Sequence, residues 1–304
     1  MFRLIILLII LVLPEMLSGQ TPILFNQFYF NTLSVNPAFA GSENAMSATI
    51  NYRNQWTGFD DAPKSSQLAL HSPLKGGRTG LGFHAENNSI GIYETTNIMG
   101  SYAYRVEVKD ATLSLGLGFG VAVYAVNWNN LQSIDRNDQL LTNNSSSAVM
   151  PVFNFGTYYY TKKYYIGISI PSLLRYAEDD DGGFKAKNDM AAYSYLVNGG
   201  LDIDLSRDII LRPSLSAAFN VKYPTRIYMN SMLGFKEKVW VGLGYRSQNT
   251  VIGLFQCQLN YQLRLAYAYD FANGELGKYL NGSHEIGLNY IFRYSRKVMS
   301  PRSF

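Results

Sequence analysis

Between Ser283 and Tyr294 the apolar residues Ile286, Leu288, Tyr290, Phe292 and Tyr294 occupy every second position. Glu285, Gly287, Asn289 and Arg293 fill most of the gaps. A strand sends successive side chains to opposite faces, so this period of two makes one face apolar and aromatic and the other polar or small. The same pattern recurs upstream. Leu263, Leu265, Tyr267, Tyr269 and Phe271 alternate with Gln262, Arg264 and Asp270, and Val239, Val241, Leu243 and Tyr245 alternate with Gly242, Gly244 and Arg246. Repeated this often, the alternation predicts an all-β transmembrane antiparallel barrel, apolar outside and wet inside.

The bulk numbers agree. Apolar residues make up 47% of the 304, yet the mean hydropathy is −0.07, so apolar and polar residues are interleaved rather than blocked. Charged residues are 16%, against about 25% in ordinary soluble proteins. Tyrosine (23) exceeds phenylalanine (17), and its apolar ring with a polar tip suits a membrane–water boundary. The net charge of +4 is too small and too spread for a nucleic-acid partner. The single cysteine, Cys257, excludes an internal disulfide and falls on an apolar strand face.

Arg3 and the apolar block Leu4 to Leu13, with Ser18 and Gly19 behind it, read as a cleaved secretory signal over residues 1–19. The block is too short to span a bilayer comfortably, and no cysteine stands behind it for a lipid anchor. Residues 20–44 are aromatic-rich without a clean period and form a lead-in segment, either packed in the lumen or lying at the periplasmic rim. Asn36-Pro37 within it starts a turn.

The barrel is expected over 45–294, with a tail at 295–304. Its strands read as 45–54, 64–74, 79–87, 95–108, 111–126, 151–160, 163–170, 193–205, 209–220, 226–235, 238–246, 250–260, 262–271 and 283–294. That is about fourteen, an even number that suits a bacterial barrel. Met46, Ala48, Ile50 and Tyr52 should face outward on the first. On the fifth, Ser114, Gly116, Gly118 and Gly120 should leave the lumen side nearly bare. Pro213, in mid-strand, predicts a bulge or a local break.

Short connections, mostly basic, alternate with longer ones at 55–63, 88–94, 127–150, 171–192 and 272–282, though 221–225 and 247–249 are brief. Barrels of this kind keep short turns in the periplasm, which would put both chain ends there. The tail adds Arg296, Lys297 and Arg302, and one long loop carries Glu178-Asp179-Asp180-Asp181. The basic turns are either a docking rim or ordinary solvated turns.

Motifs for chemistry are sparse. His71 and His84 fall on neighbouring strands and both could face the lumen, but no spacing gives either a nucleophile or an acid partner. Paired-cysteine and His-Glu-x-x-His metal spacings are absent, and Gly116-x-Gly118-x-Gly120 lies inside a strand with no helix after it. The reading is therefore a non-enzymatic protein without cofactor or metal.

Two stretches carry more than pattern. One is Asn26-Gln27-Phe28-Tyr29-Phe30-Asn31 with Asn36-Pro37-Ala38-Phe39-Ala40-Gly41-Ser42. The other is Tyr52-Arg53-Asn54-Gln55-Trp56-Thr57-Gly58-Phe59, then Ala62-Pro63 and His71-Ser72-Pro73-Leu74, followed by Gly80-Leu81-Gly82-Phe83. Together they closely resemble the start of the PorP/SprF family of outer-membrane proteins, sharply over residues 24–92. The resemblance implies a component or accessory of the type IX secretion system. Such a protein would support secretion or surface attachment of a cargo protein such as a gliding adhesin.

Its expected partners are a periplasmic ring lipoprotein, a secreted cargo with a C-terminal sorting domain, and membrane lipids. Asn36, Pro37, Gly41, Arg53, Gln55, Trp56, Phe59 and Pro63 are the candidate partner-binding or gating residues. The same residues could instead simply pack the lead-in against the barrel interior. Competing functions are a passive pore for small solutes and, on His71 and His84, an outer-membrane hydrolase.

Overall fold

The computed structural model describes residues 25–127, 146–173, 175–178, 184–187, 193–221, 224–247, 249–271 and 281–292. The expected signal segment, the aspartates at 179–181, Arg293, Tyr294 and the basic tail lie outside these residues, as do 128–145 and 272–280.

Among the described residues seventeen strands follow two short 3₁₀ turns, at Thr32–Ser34 and Pro37–Phe39. They are β1 (Met46–Asn54), β2 (Lys64–Pro73), β3 (Thr79–Ile90), β4 (Tyr93–Val108), β5 (Ala111–Val126), β6 (Ser146–Tyr160), β7 (Tyr164–Ile170), β8 (Arg175–Glu178) and β9 (Phe184–Lys187). Then come β10 (Tyr195–Leu201), β11 (Ile203–Asp204), β12 (Ile209–Phe219), β13 (Arg226–Phe235), β14 (Val239–Arg246), β15 (Thr250–Gln258), β16 (Leu263–Phe271) and β17 (Ser283–Phe292).

Every neighbour in the main sheet is antiparallel, β1 pairs with β17, and a β10–β12 pairing closes the cylinder. The result is a closed barrel of fourteen strands, with β11 continuing β10. Closure leaves no unpaired edge, which a wall facing hydrocarbon requires.

The alternation sets the faces as expected. On β17, Ser283, Glu285, Gly287, Asn289 and Ile291 are buried in the lumen while His284, Ile286, Leu288 and Tyr290 are exposed outside. Met46, Ile50 and Tyr52 point out from β1 and Ser47, Thr49, Asn51 and Arg53 point in. Exposed aromatics collect near both ends of the wall, with Tyr52, Tyr245 and Phe271 at one and Tyr164, Phe235 and Tyr261 at the other. Such girdles belong at membrane interfaces. Cys257 alternates with the inward Gln256 and is half-buried on the outer face.

Four expectations change. The connection expected at 88–94 is the two-residue hairpin Gly91-Ile92, because β3 runs on to Ile90 and β4 starts at Tyr93. β6 begins at Ser146 rather than 151, and β8 and β9 form a separate hairpin inside the loop expected at 171–192. Pro213 produces no bulge: β12 keeps its register with β13 through Pro213↔Ser231. The break falls on the other side, where β10 stops at Leu201 and β11 resumes at Ile203 in unchanged register. Proline has no N–H to give that ladder.

The lumen is also less uniformly wet than expected. Met232, Trp240, Ile252, Leu254 and Ala268 form a buried apolar cluster on inward faces of β13–β16. Tyr29 and Ile210 pack against it.

Candidate functional site

Of the two placements open to the lead-in, the structure shows the lumen. Phe25 to Ser42 run lengthwise down the barrel as a plug, from the long-loop end to the short-turn end, where Glu43 to Ala45 lead into β1. Phe25, Asn26, Gln27, Phe28, Phe30 and Leu33 are all buried.

The upper part of the plug is held by charge. Arg53 is fully buried and lies 2.5 Å from Asp270 and 3.1 Å from Glu285, and Arg246 reaches Asp270 at 3.0 Å. Glu285 accepts the backbone N–H groups of Asn26 (2.8 Å) and Gln27 (3.1 Å), while the Asn26 side chain bonds Asp270 and Arg246. Two cations and two carboxylates thus make a neutral cluster, and every carboxylate oxygen has a donor.

Buried pairs of this kind lose about 3–5 kcal/mol when one partner goes, because the other charge is stranded. The strand register builds the cluster: Arg53 sits directly opposite Glu285 on β17, and Asp270 opposite Ser283. Below it, Tyr29 packs on the apolar cluster and donates to the Met232 sulfur at 2.7 Å, and Gln27 accepts from Gln256. Burial raises the Tyr29 phenol well above its ordinary range, so it stays protonated.

The lower part is held by shape and by main-chain bonds. Asn36 caps the second turn, accepting from Ala38 N–H at 2.9 Å, and donates to the Thr157 carbonyl at 2.9 Å; Pro37 occupies the first position of that turn. The plug backbone lies directly on wall glycines: a Cβ at Gly116 would fall inside the Ala38 and Pro37 backbone, and one at Gly80 inside Ala40. Gly41 has φ +67°, a left-handed conformation that suits glycine, and its N–H donates to His71 Nδ1 while its carbonyl accepts from Arg105. Phe39 stacks edge-on to His71 and Tyr158. The glycines expected to leave the lumen bare are therefore partly a floor for the plug.

The eight candidate residues split into two groups. Asn36, Pro37, Gly41 and Arg53 meet in the plug and its latch, and Pro63 is buried at the start of β2, its carbonyl accepting from Gln55 N–H. Gln55, Trp56 and Phe59 stand apart in the 55–63 loop, where Phe59 is 62% and Trp56 37% exposed. Thr57 exchanges backbone bonds with Asn281 and Gly282, and Trp56 donates to Ser283 Oγ from a left-handed φ of 55°. Such a conformation persists only where its surroundings hold it, and it clusters at functional positions.

Sequence reasoning missed Asn26, Asp270, Glu285 and Arg246 as a unit, and Trp240 as the ring beneath Arg212 at 3.9 Å. The signal available was four inward-facing charges near one end of their strands, in a chain where charges are scarce.

At the short-turn end a cavity of about 700 Å³ opens below the plug, lined in part by Ser42, Asn44, Arg78, Arg105, Glu107 and Lys162.

A closed wall with an apolar outer band, and a lumen stoppered by the chain's own N-terminal segment, define a plugged outer-membrane β-barrel. A known channel structure shares the barrel fold. The CymD monoaromatic hydrocarbon channel matches with TM-score 0.53 and 14% identity over 89% of this chain and 94% of that one. A Pseudomonas aeruginosa FadL homologue matches with TM-score 0.48 and 10% identity over 86% and 94%. Acinetobacter baumannii Omp33 gives TM-score 0.44 and 11% identity over 83% and 100%. Comparison with curated proteins finds no match. The sequence family described as type IX secretion system membrane protein PorP/SprF matches residues 17–290, and the chain belongs to that family of the outer membrane.

Proposed function

We propose that this barrel is a non-enzymatic component or accessory of the type IX secretion system that supports secretion or surface attachment of a cargo protein such as a gliding adhesin. The family supports the secretion-machine role. The observation that carries the reading against a passive pore is the filled lumen: the plug and its latch occupy the path that free diffusion would need.

In this reading residues 1–19 are a signal peptide and the short turns lie in the periplasm. Lys75, Arg78, Lys109, Lys162, Lys163, Lys236 and Lys238 then form a basic rim for the ring lipoprotein. Trp56, Phe59 and Gln55 lie at the opposite end, where cargo bearing a C-terminal sorting domain emerges. Exposed aromatics on a backbone held this firmly are suitable anchors for a partner.

Purification in mild detergent should recover the ring lipoprotein or a sorting-domain protein with the barrel. A Trp56→Ala/Phe59→Ala variant should lose the cargo and keep the folded barrel. A partner-free monomer with large, stable conductance would instead establish the pore.

A further inference from the structure

Six wall side chains bond the plug through its main chain. Ser114 and Ser169 donate to the Ala38 and Val35 carbonyls at 2.6 Å each, and Asn230 to the Asn26 carbonyl at 2.9 Å. Arg105 donates to the Gly41 carbonyl, His71 accepts the Gly41 N–H, and Glu285 accepts two consecutive N–H groups. Main-chain groups are common to every polypeptide. Gly80 and Gly116 keep the wall flat enough for a backbone to lie against it, and Gly156 leaves room for the Asn36 side chain and the Pro37 ring.

The plug adds no strand to the barrel sheet, and only Glu43, Asn44 and Ala45 join it to β1. The wall amides of Asn51 and Asn198 are buried without a protein partner. Each therefore has hydrogen-bonding capacity that the resident segment leaves unused.

We infer that the lumen is a binding site for an unpaired polypeptide segment, and that residues 25–42 are its resident, replaceable occupant. The class of ligand is a segment of a client protein that presents small residues and an Asn-Pro-type turn to the glycine floor. This goes beyond the secretion role proposed above, and its test needs neither cargo nor the secretion machine.

A Cβ at Gly82 would stand 3.2 Å from Ala40 Cβ, and its other close neighbours are the flexible tips of Leu33. Disulfides need a Cβ separation of about 3.5–4.5 Å, so a small shift suffices. The full chain carrying Gly82→Cys and Cys257→Ala is mixed with a synthetic peptide of residues 25–44 bearing Ala40→Cys as its thiopyridyl disulfide. A scrambled peptide is the control, and an Ala40→Cys/Gly82→Cys barrel reports whether the internal staple closes.

The expected result is one peptide captured per barrel, in about tenfold excess over the scrambled peptide, as one or two specific hydrogen bonds would give. Equal capture of both peptides would overturn the inference. So would no capture by the Gly82→Cys barrel when the staple of the double-cysteine barrel closes, or failure of that staple to close.

Discussion

The two ends of the plug are held by different physics. At the long-loop end Asn26 and Gln27 are fixed by four buried charges on β1, β14, β16 and β17. At the short-turn end Asn36 to Gly41 lie on glycines of β3, β5 and β6 and bond through the backbone. Charge is strong in a low-dielectric lumen but depends on every partner being present. Shape is tolerant of chemistry but not of volume. The plug is thus latched at one end and seated at the other.

The largest effect should come from breaking the latch. Arg53→Met leaves Glu285 without a cation, while Arg246 still pairs with Asp270, and should cost about 3–5 kcal/mol, read from the urea midpoint of the barrel in detergent. A double replacement with Glu285→Gln, which leaves Arg246 paired with Asp270, should recover much of that loss. If Arg53→Met leaves the midpoint unchanged, the charges do not hold the plug.

Gly116→Val comes next. It drives a side chain into the Ala38 backbone and should cost about 1–3 kcal/mol. It should also make Ala40→Cys, in a Cys257→Ala background, reactive to a water-soluble maleimide while the barrel stays folded. Combining Arg53→Met with Gly116→Val sharpens the comparison. Independent ends should add to within about 0.5 kcal/mol, whereas a larger coupling would show that the plug moves as one body.

Asn36→Ala removes a cap and a bond to the Thr157 carbonyl, and should cost about 1–2 kcal/mol by the same denaturation. Lys163→Ala breaks only the exposed pair with Asp204 at 2.8 Å and should leave the midpoint within error.

Much of this was readable one residue at a time. Ile286, Leu288 and Tyr290 announce their outward face through spacing alone, and Arg53 its inward one, because a strand's two faces are fixed by the local backbone. Gly91-Ile92 was less readable: Asn87 to Ser89 are polar on both faces, so their strand pairing left no apolar signature. Gly116 looked like empty lumen, since a missing side chain does not say what occupies its space. Asp270 and Glu285 were seen as inward polar residues, but their shared partner Arg53 lies more than 200 positions away in the chain.

The sequence by itself determined the cylinder, its apolar band and the direction in which most side chains point, since alternation acts over neighbouring residues and needs no distant partner. The tertiary structure decided that the lead-in fills the lumen, that glycines on β3, β5 and β6 serve as its floor, and that two arginines and two carboxylates close as a neutral latch. Those outcomes depend on which strands meet when the sheet closes on itself, and closure brings together residues that no local pattern relates.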